Sequence, residues 1–212
     1  MDIAILGAGD VGGTLGRRFA SIGHTVHFGV PNPKGEKYQK LVSEIGSSST
    51  VDTVADAAQK ADVILLATPW DKTEAAINDA GDVTGKIVID ATNPLKFDAS
   101  GLGLSEGFSN SGGEMVARWA KGARVVKTFN QTGFENMANP DYPNGRNVMF
   151  VCGDHAEARE TVRHLAEEIG FDAIDAGALS IARLLEPMAM LWIHLYQNTD
   201  LKRGFAFAIV RR

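Results

Sequence analysis

The chain has 212 residues, 44% of them hydrophobic and 22% charged, and a formal net charge of −5; this is the make-up of an ordinary globular protein able to bury a substantial core. The acidic balance disfavours nucleic acid or an anionic membrane surface as partner, no apolar run approaches the roughly 18 residues that cross a bilayer, and no basic, apolar leader opens the chain. The single cysteine, Cys152 in the run NVMFVCG, excludes an internal disulfide, suits a reducing cytoplasm and reads as a small buried hydrophobe.

In chain order, the apolar run Asp2–Leu6 predicts a strand and Val11–Ile22 a helix, with Gly23 placed for a left-handed cap. A second strand is expected at Thr25–Phe28 and a helix at Lys34–Ile45. Val54–Lys60 reads as a helix, Val63–Ala67 as a strand, Asp71–Asp79 as a helix and Ile87–Asp90 as a strand. The stretch Asn93–Asn110 is polar and rich in Gly and Ser, and a loop of that length is usually functional or mobile. Ser111-Gly-Gly-Glu114 has the spacing of a capping box for a helix at Gly112–Lys121. Strands follow at Val125–Phe129, Val148–Cys152 and Ala173–Asp175, with a helix at Ala156–Ile169 closed by Gly170. The last helix, about Ser180–Tyr196, is apolar on most faces, so it reads as core or subunit interface, with a kink expected at Pro187.

Strands rich in Val and Ile alternating with helices imply a Rossmann-type, doubly wound, mostly parallel α/β sheet. The expectation is one domain over 1–212: a dinucleotide core to about residue 134, and a C-terminal extension that completes the sheet and packs the final helix across it.

Gly7-Ala8-Gly9-Asp10-Val11-Gly12 matches G-x-G-x-x-G between a strand and a helix, the context in which it holds a pyrophosphate. Gly7 permits the turn, Gly9 removes a Cβ from the path of the phosphates, and Gly12 lets helix and strand meet closely. An NAD site usually ends its second strand with an acid for the ribose hydroxyls, whereas an NADP site lacks the acid and supplies a cation. Here the strand ends His27-Phe28-Gly29, no acid appears before Glu36, and the nearest cations are Lys34, Lys37 and Lys40. NADP is therefore expected over NAD, with Val30, Asn32, Lys34 and Lys37 as candidate contacts at the adenosine end. Thr68-Pro69-Trp70 and Asn93-Pro94 follow two strands at the carboxyl edge, where they would wall the nicotinamide half of the cleft. Phe129-Asn130-Gln131-Thr132-Gly133 forms a polar cluster at the same edge.

Lys127, within a strand, needs a route to solvent or an anionic partner. His24 and His27 flank the second strand, His155 and His164 read as surface helix positions, and His194 as a hydrogen-bonded core histidine. No pair of histidines has metal-ligand spacing with a carboxylate or cysteine, so no metal is expected. No nucleophile elbow or acid–base pair is evident, so no catalytic side chain is assigned. Hydride transfer, in which positioning does most of the work, is the readiest chemistry.

These residues resemble the NADPH-dependent coenzyme F420 reductases and their bacterial relatives. The resemblance is carried by IAILGAGDVG, GHTVHFG, ATPWD, DATNPL, SGGEMVARWAKGARVVKTFN, FVCGD and IDAGALSIARLLEPMAMLWIHL, and so runs the length of the chain. It implies transfer of hydride between nicotinamide C4 and C5 of a deazaflavin, the pyrophosphate on Gly7 to Gly12, and Pro69 and Trp70 beside the nicotinamide. It places the second substrate between Asn93-Pro94, Asn130 to Thr132 and Phe205, and it implies a homodimer with the final helices in contact. Two positions depart from the family pattern: Pro31 stands where the phosphate-clamping arginine is found, and Asn130 where a histidine is frequent. A flavin could replace the deazaflavin as the flat acceptor. Two alternatives stay open, an NADP-dependent reductase of a small carbonyl or imine, with Lys127 or Asp71 as proton donor, and a non-catalytic dinucleotide sensor.

Overall fold

The computed structural model describes residues 1–99 and 101–212. Its elements run β1 (Asp2–Leu6), α1 (Asp10–Ser21), β2 (Thr25–Gly29), α2 (Glu36–Ile45), β3 (Ser49–Asp52), α3 (Val54–Gln59), β4 (Val63–Leu66), α4 (Trp70–Ala80) and β5 (Ile87–Asp90). There follow β6 (Leu95–Asp98), β7 (Gly101–Leu104), α5 (Gly112–Trp119), β8 (Arg124–Lys127), α6 (Phe134–Ala138), β9 (Asp141–Tyr142) and β10 (Gly145–Arg146). The chain ends with β11 (Val148–Gly153), α7 (Ala156–Glu168), β12 (Asp172–Gly177), a 3-10 turn at Leu179–Ile181, and α8 (Ala182–Asn198).

Eight strands form one sheet in the order β3-β2-β1-β4-β5-β8-β11-β12. All neighbours are parallel except β11, which meets β8 antiparallel before pairing parallel with β12. The chain leaves β1 toward β2 and β3, then returns to the other side of β1 for β4. The point where strand order reverses therefore lies between β1 and β4, the position at which open α/β sheets bind ligands. There the amide of Ala67 donates to the Leu6 carbonyl at 2.9 Å.

Helices cover both faces, so successive residues on one strand enter opposite cores. Ile3 and Ile5 pack with Leu15, Phe19, Phe28 and Leu65 beneath α1 and α7, whereas Ala4 and Leu6 pack with Ala57, Ile64, Leu66 and Val116 on the other side. This is why β1 and β4 read as unbroken apolar runs. Gly23 and Gly170 adopt positive φ at the expected caps.

Several expectations need correction. β3 leaves no strand signal in the sequence, because STVD is a half-buried edge strand with no apolar run. The stretch Asn93–Asn110 is not one long loop; it holds the β6–β7 hairpin, and Ser100 lies outside the described residues. α6 and the β9–β10 hairpin are too short for periodicity to reveal. Pro187 lies inside α8, which continues through it from Ala182 to Asn198. α8 packs on α5 and β7, and its first turns also reach the sheet, Ala182 and Leu185 clustering with Cys152 of β11. It buries Leu185, Ala189 and Trp192 and leaves Leu184 and Leu191 exposed. His194 is likewise exposed, its ring near Asn198 rather than in the core.

The Ser111 cap forms by half. Its hydroxyl oxygen accepts from the Glu114 amide at 3.2 Å, but the Glu114 carboxylate accepts from the Ser111 hydroxyl instead of reaching the Ser111 backbone. It also takes a two-pronged bond from Arg183 at 2.6 and 2.9 Å, which ties α5 to α8. Those bonds, Arg183 first, hold the Glu114 carboxyl below its ordinary range against the opposing effect of burial. A folded-state value below the unfolded one gives stability that is present above about 4.3 and is lost as pH falls through the folded value. Urea midpoints should therefore fall between pH 6 and pH 3.5 in the wild type, and fall less in Glu114→Gln; equal losses would remove this pair from the acid response.

Candidate functional site

The turn after β1 is shaped by three glycines for three different reasons. Gly7 has φ +99°, donates its amide to the Gly29 carbonyl at 3.1 Å, and approaches β4 so closely that a Cβ would lie 2.6 Å from the Ala67 carbonyl oxygen. A Cβ on Gly12 would lie 2.0 Å from the Gly7 carbonyl oxygen, so helix and turn are in direct backbone contact. Gly9 differs from both. No atom lies within 4 Å of a Cβ built there, and its φ is −82°. Nothing within the fold demands glycine at position 9; the vacant volume faces outward at the start of α1. That helix has no side-chain cap at Gly9, and the first amides of a helix lack partners inside it. Free amides and the positive end of the helix dipole make this a seat for a phosphate. Ala8 is half-buried in the turn, and Asp10, exposed, opens the helix.

Beside this seat a cleft of about 400 Å³ brings together Val11, Thr68, Pro69, Trp70 and Asn93, as expected, with Ala67, Asp71, Ala91, Thr92 and Leu95. The last residues of β4 and β5 point their following turns to the same edge, which is why both turns meet here. Thr73 fastens the first, donating to the Pro69 carbonyl at 3.1 Å and lying 3.0 Å from the Thr68 hydroxyl. Trp70 packs on Trp119 with ring centroids 5.3 Å apart. Pro94 is buried behind the wall rather than in the cleft.

Asn93, on the cleft wall, is held from behind by a reciprocal pair with Asn130, which is buried and does not itself line the cleft. Asn93 Nδ2 donates to the Asn130 carbonyl at 2.9 Å, and Asn130 Nδ2 donates to Asn93 Oδ1 at 3.0 Å and to the Leu185 carbonyl at 3.2 Å. The preceding residue, Phe129, turns the chain back with φ +59°, and its amide donates to the Met149 sulfur at 3.2 Å. A buried aromatic at positive φ is a strained conformation held by its surroundings.

The other predicted substrate contacts are placed elsewhere. Gln131 is 1% exposed and is spent joining β8 to β11: its amide nitrogen donates to the Phe150 carbonyl and its oxygen accepts the Phe150 amide, both at 2.9 Å. Thr132 accepts from Asn136 at 2.7 Å, and the Phe205 carbonyl accepts from the same Asn136 at 2.7 Å while its ring stacks on Trp192. Thr132 and Phe205 thus form a tail-anchoring cluster, and neither lines the cleft.

At the far end of the turn, Val30 is 1% exposed, with its amide on the Asp52 carbonyl at 3.1 Å. Its side chain belongs to the core and offers a ligand no surface. Pro31, Asn32, Lys34 and Lys37 are exposed, the Lys37 ammonium 4.6 Å from the Tyr38 ring centre. His27 is buried against Thr50 and Asp2, away from this end. The unforeseen β3 brings Asp52 beside Gly29. Burial opposes its charge, but hydrogen bonds from Lys60 and Thr50, each 2.6 Å, prevail and hold the carboxyl below its ordinary range. The acid that the β2 sequence lacks is therefore present on the next strand, already engaged.

Lys127 finds anionic partners rather than solvent. It is fully buried, and its ammonium donates to Asp90 Oδ2 at 2.8 Å and the Thr92 carbonyl at 2.6 Å, with Glu186 Oε1 at 2.9 Å. Burial works against the charge, yet the two carboxylates hold the ammonium above its ordinary range. Asp90, Glu186 and Gly112 carried no motif signal as single residues; only the fold shows them behind the cleft. Cys152 is also buried, and burial pushes its thiol up to about 12, so it is inert.

Comparison with known proteins bears on this site. The family model described as "NADP oxidoreductase coenzyme F420-dependent" matches residues 2–94. The F420-dependent NADP reductase of Methanothermobacter marburgensis is 31% identical over 207 residues, covering 92% of each chain. Rat metalloreductase STEAP3 is 29% identical over 89% of this chain, which spans only 36% of that longer protein. A putative F420-dependent NADP reductase from Arthrobacter sp. FB24 superposes with a TM-score of 0.90 at 32% identity over the whole of both chains. With the open seat at Gly9, the cleft at the strand-order reversal and this full-length likeness, the chain belongs to the F420-dependent NADP oxidoreductase family.

Proposed function

We propose that the chain is an NADP-dependent oxidoreductase that moves hydride between the nicotinamide and a flat acceptor of the deazaflavin type, coenzyme F420, with a flavin as the alternative acceptor. The observation that carries this reading is Gly9: a glycine the fold does not need, at an uncapped helix start beside an open cleft. The residues fit a dinucleotide. Gly7 to Gly12 would hold the pyrophosphate, and Val11, Thr68, Pro69, Trp70 and Asn93 would border the nicotinamide. The cofactor supplies the hydride. The chain supplies rigid walls that hold donor and acceptor face to face, which is where the rate advantage of such a reaction lies. At the adenosine end, Lys34 and Lys37 are exposed cations, and no acid ends β2 to meet the ribose, the first being Glu36, which favours NADP over NAD.

A small carbonyl or imine substrate would require a proton donor at the cleft. Lys127 is sealed with three acceptors around its ammonium, and Asp71 is exposed beside Lys72, so the reading that needs no proton donor is favoured. A buried lone thiol and a reduced pyridine nucleotide suit a cytoplasmic setting. We further propose a homodimer through the outer face of α8, where Leu184 and Leu191 are 67% and 49% exposed.

Fluorescence titration with NADPH and NADH, followed by absorbance near 340 nm on adding F420, FMN or FAD, tests the reading. Gly9→Ala should change stability by no more than about 0.5 kcal/mol yet weaken NADPH at least about tenfold, or 1.4 kcal/mol. NADPH affinity unchanged in Gly9→Ala, or a wild type that prefers NADH, overturns the assignment. Binding without turnover on any flat acceptor points to a sensor. Pro31→Arg should tighten NADPH on the order of tenfold, from a charge-assisted bond of ~1.5–3 kcal/mol; no gain places the phosphate against Lys34 or Lys37. Light scattering should give twice the chain mass for wild type and the single mass for Leu184→Glu/Leu191→Glu, with a monomeric wild type refuting the dimer.

A further inference from the structure

Behind the cleft lies a buried ionic network that no part of the proposed reaction uses directly. Lys127 on β8 is 0% exposed, Asp90 at the end of β5 is 0% exposed and Glu186 on α8 is 1% exposed. A charge this deep is costly unless its polar atoms are met, and here every ammonium proton and every carboxylate oxygen has a partner. The three ammonium protons face Asp90 Oδ2, the Thr92 carbonyl and Glu186 Oε1. Asp90 Oδ1 accepts both the amide of Thr92, at 2.9 Å, and its hydroxyl, at 2.7 Å. Glu186 accepts the amides of Gly112 at 2.9 Å and Gly113 at 3.0 Å, at the positive end of α5.

Each bond ends on a piece of cleft wall or on an element behind it. Thr92 lines the cleft and is held by Asp90 and Lys127 at amide, hydroxyl and carbonyl alike. Gly112 is packed so tightly that a Cβ would lie 3.1 Å from Glu186 Oε1, 3.1 Å from Pro94 Cδ and 3.2 Å from Trp70 Cη2. The two walls, carrying Trp70 and Thr92 to Pro94, therefore converge on one point at the start of α5, and Glu186 holds that point. We propose that Glu186 and Lys127 are positioning residues: they lock α8, the start of α5 and the Thr92–Pro94 turn together, and so fix the spacing of the walls against which a nicotinamide would rest. This deepens the dinucleotide reading above and rests on it for the identity of the ligand.

Glu186→Gln is the informative variant, because Lys127 keeps Asp90 and the network passes from one excess negative charge to neutrality, whereas removing Lys127 would strand two carboxylates. Gly112→Ala is the independent second variant, pressing on the same point without altering charge. Two measurements are made on full-length protein. Hydrogen exchange of the Thr92 amide in the ligand-free protein should quicken at least tenfold in either variant, while the Gly13 amide, bonded to the Gly9 carbonyl in the first turn of α1, keeps its wild-type rate. Adenosine 2′,5′-bisphosphate, which lacks the nicotinamide, should bind within about twofold of wild type, while NADPH loses at least fivefold and its bound nicotinamide emission returns toward that of free NADPH. Unchanged Thr92 exchange overturns the proposal, as does an unchanged NADPH-to-bisphosphate affinity ratio in a variant whose exchange has risen. Equal quickening of Thr92 and Gly13 overturns it too, since the network would then hold the whole fold. A wild type that binds neither ligand refutes the dinucleotide reading, and Thr92 exchange still decides whether the network holds the wall.

Discussion

The close approach of α1 to the end of β1 is the constraint from which the rest follows. With the Gly12 backbone against the Gly7 carbonyl, no side chain can separate helix from turn. The helix axis is thereby aimed at the sheet's carboxyl edge, its dipole directed at the one place where strand order reverses. Had a side chain intervened, α1 would stand off the sheet and its amides would face away from the crevice. The apolar layers on either face then serve to keep β1 and β4 in register so that this aim is preserved.

The parts of the protein that face water and the parts that face the ligand are stabilised by different means. The Arg183–Glu114 link and the other surface pairs are screened and individually modest. Around Lys127 the opposite holds: charges are dehydrated, each has fixed partners, and removal of one leaves another stranded. A network of that kind contributes little net stability compared with apolar packing. Its value is geometric, because alternative arrangements of the walls would leave charges unsatisfied.

The alternating apolar runs, the glycine turn and the carboxyl-edge turns are all legible in the sequence, since each depends on local spacing. What escaped shares a different origin. β3 and the β6–β7 hairpin are half-exposed and so carry no clean period-2 signal. Gln131 looked like a ligand contact because polar residues at a carboxyl edge often are; only the antiparallel arrival of β11 gives its amide a backbone partner. Val30 shows the same limit in reverse, its position after β2 being right for a cofactor contact while its side chain turns inward. Asp90, Lys127 and Glu186 are 37 and 59 positions apart along the chain, and long-range ion pairs of this sort leave no trace in spacing.

Phe129 has a mechanical consequence. Its ring lies 6.2 Å from Phe19 on α1 and 6.1 Å from Phe171 ahead of β12, so the strained corner is clamped between two distant parts of the core. The Asn130 segment behind the cleft cannot hinge without dragging those aromatic contacts along. On the other side of the cleft, Leu95 opens β6, a strand that is exposed along its whole length. The crevice is thus braced on one side by core aromatics and bounded on the other by a strand in water.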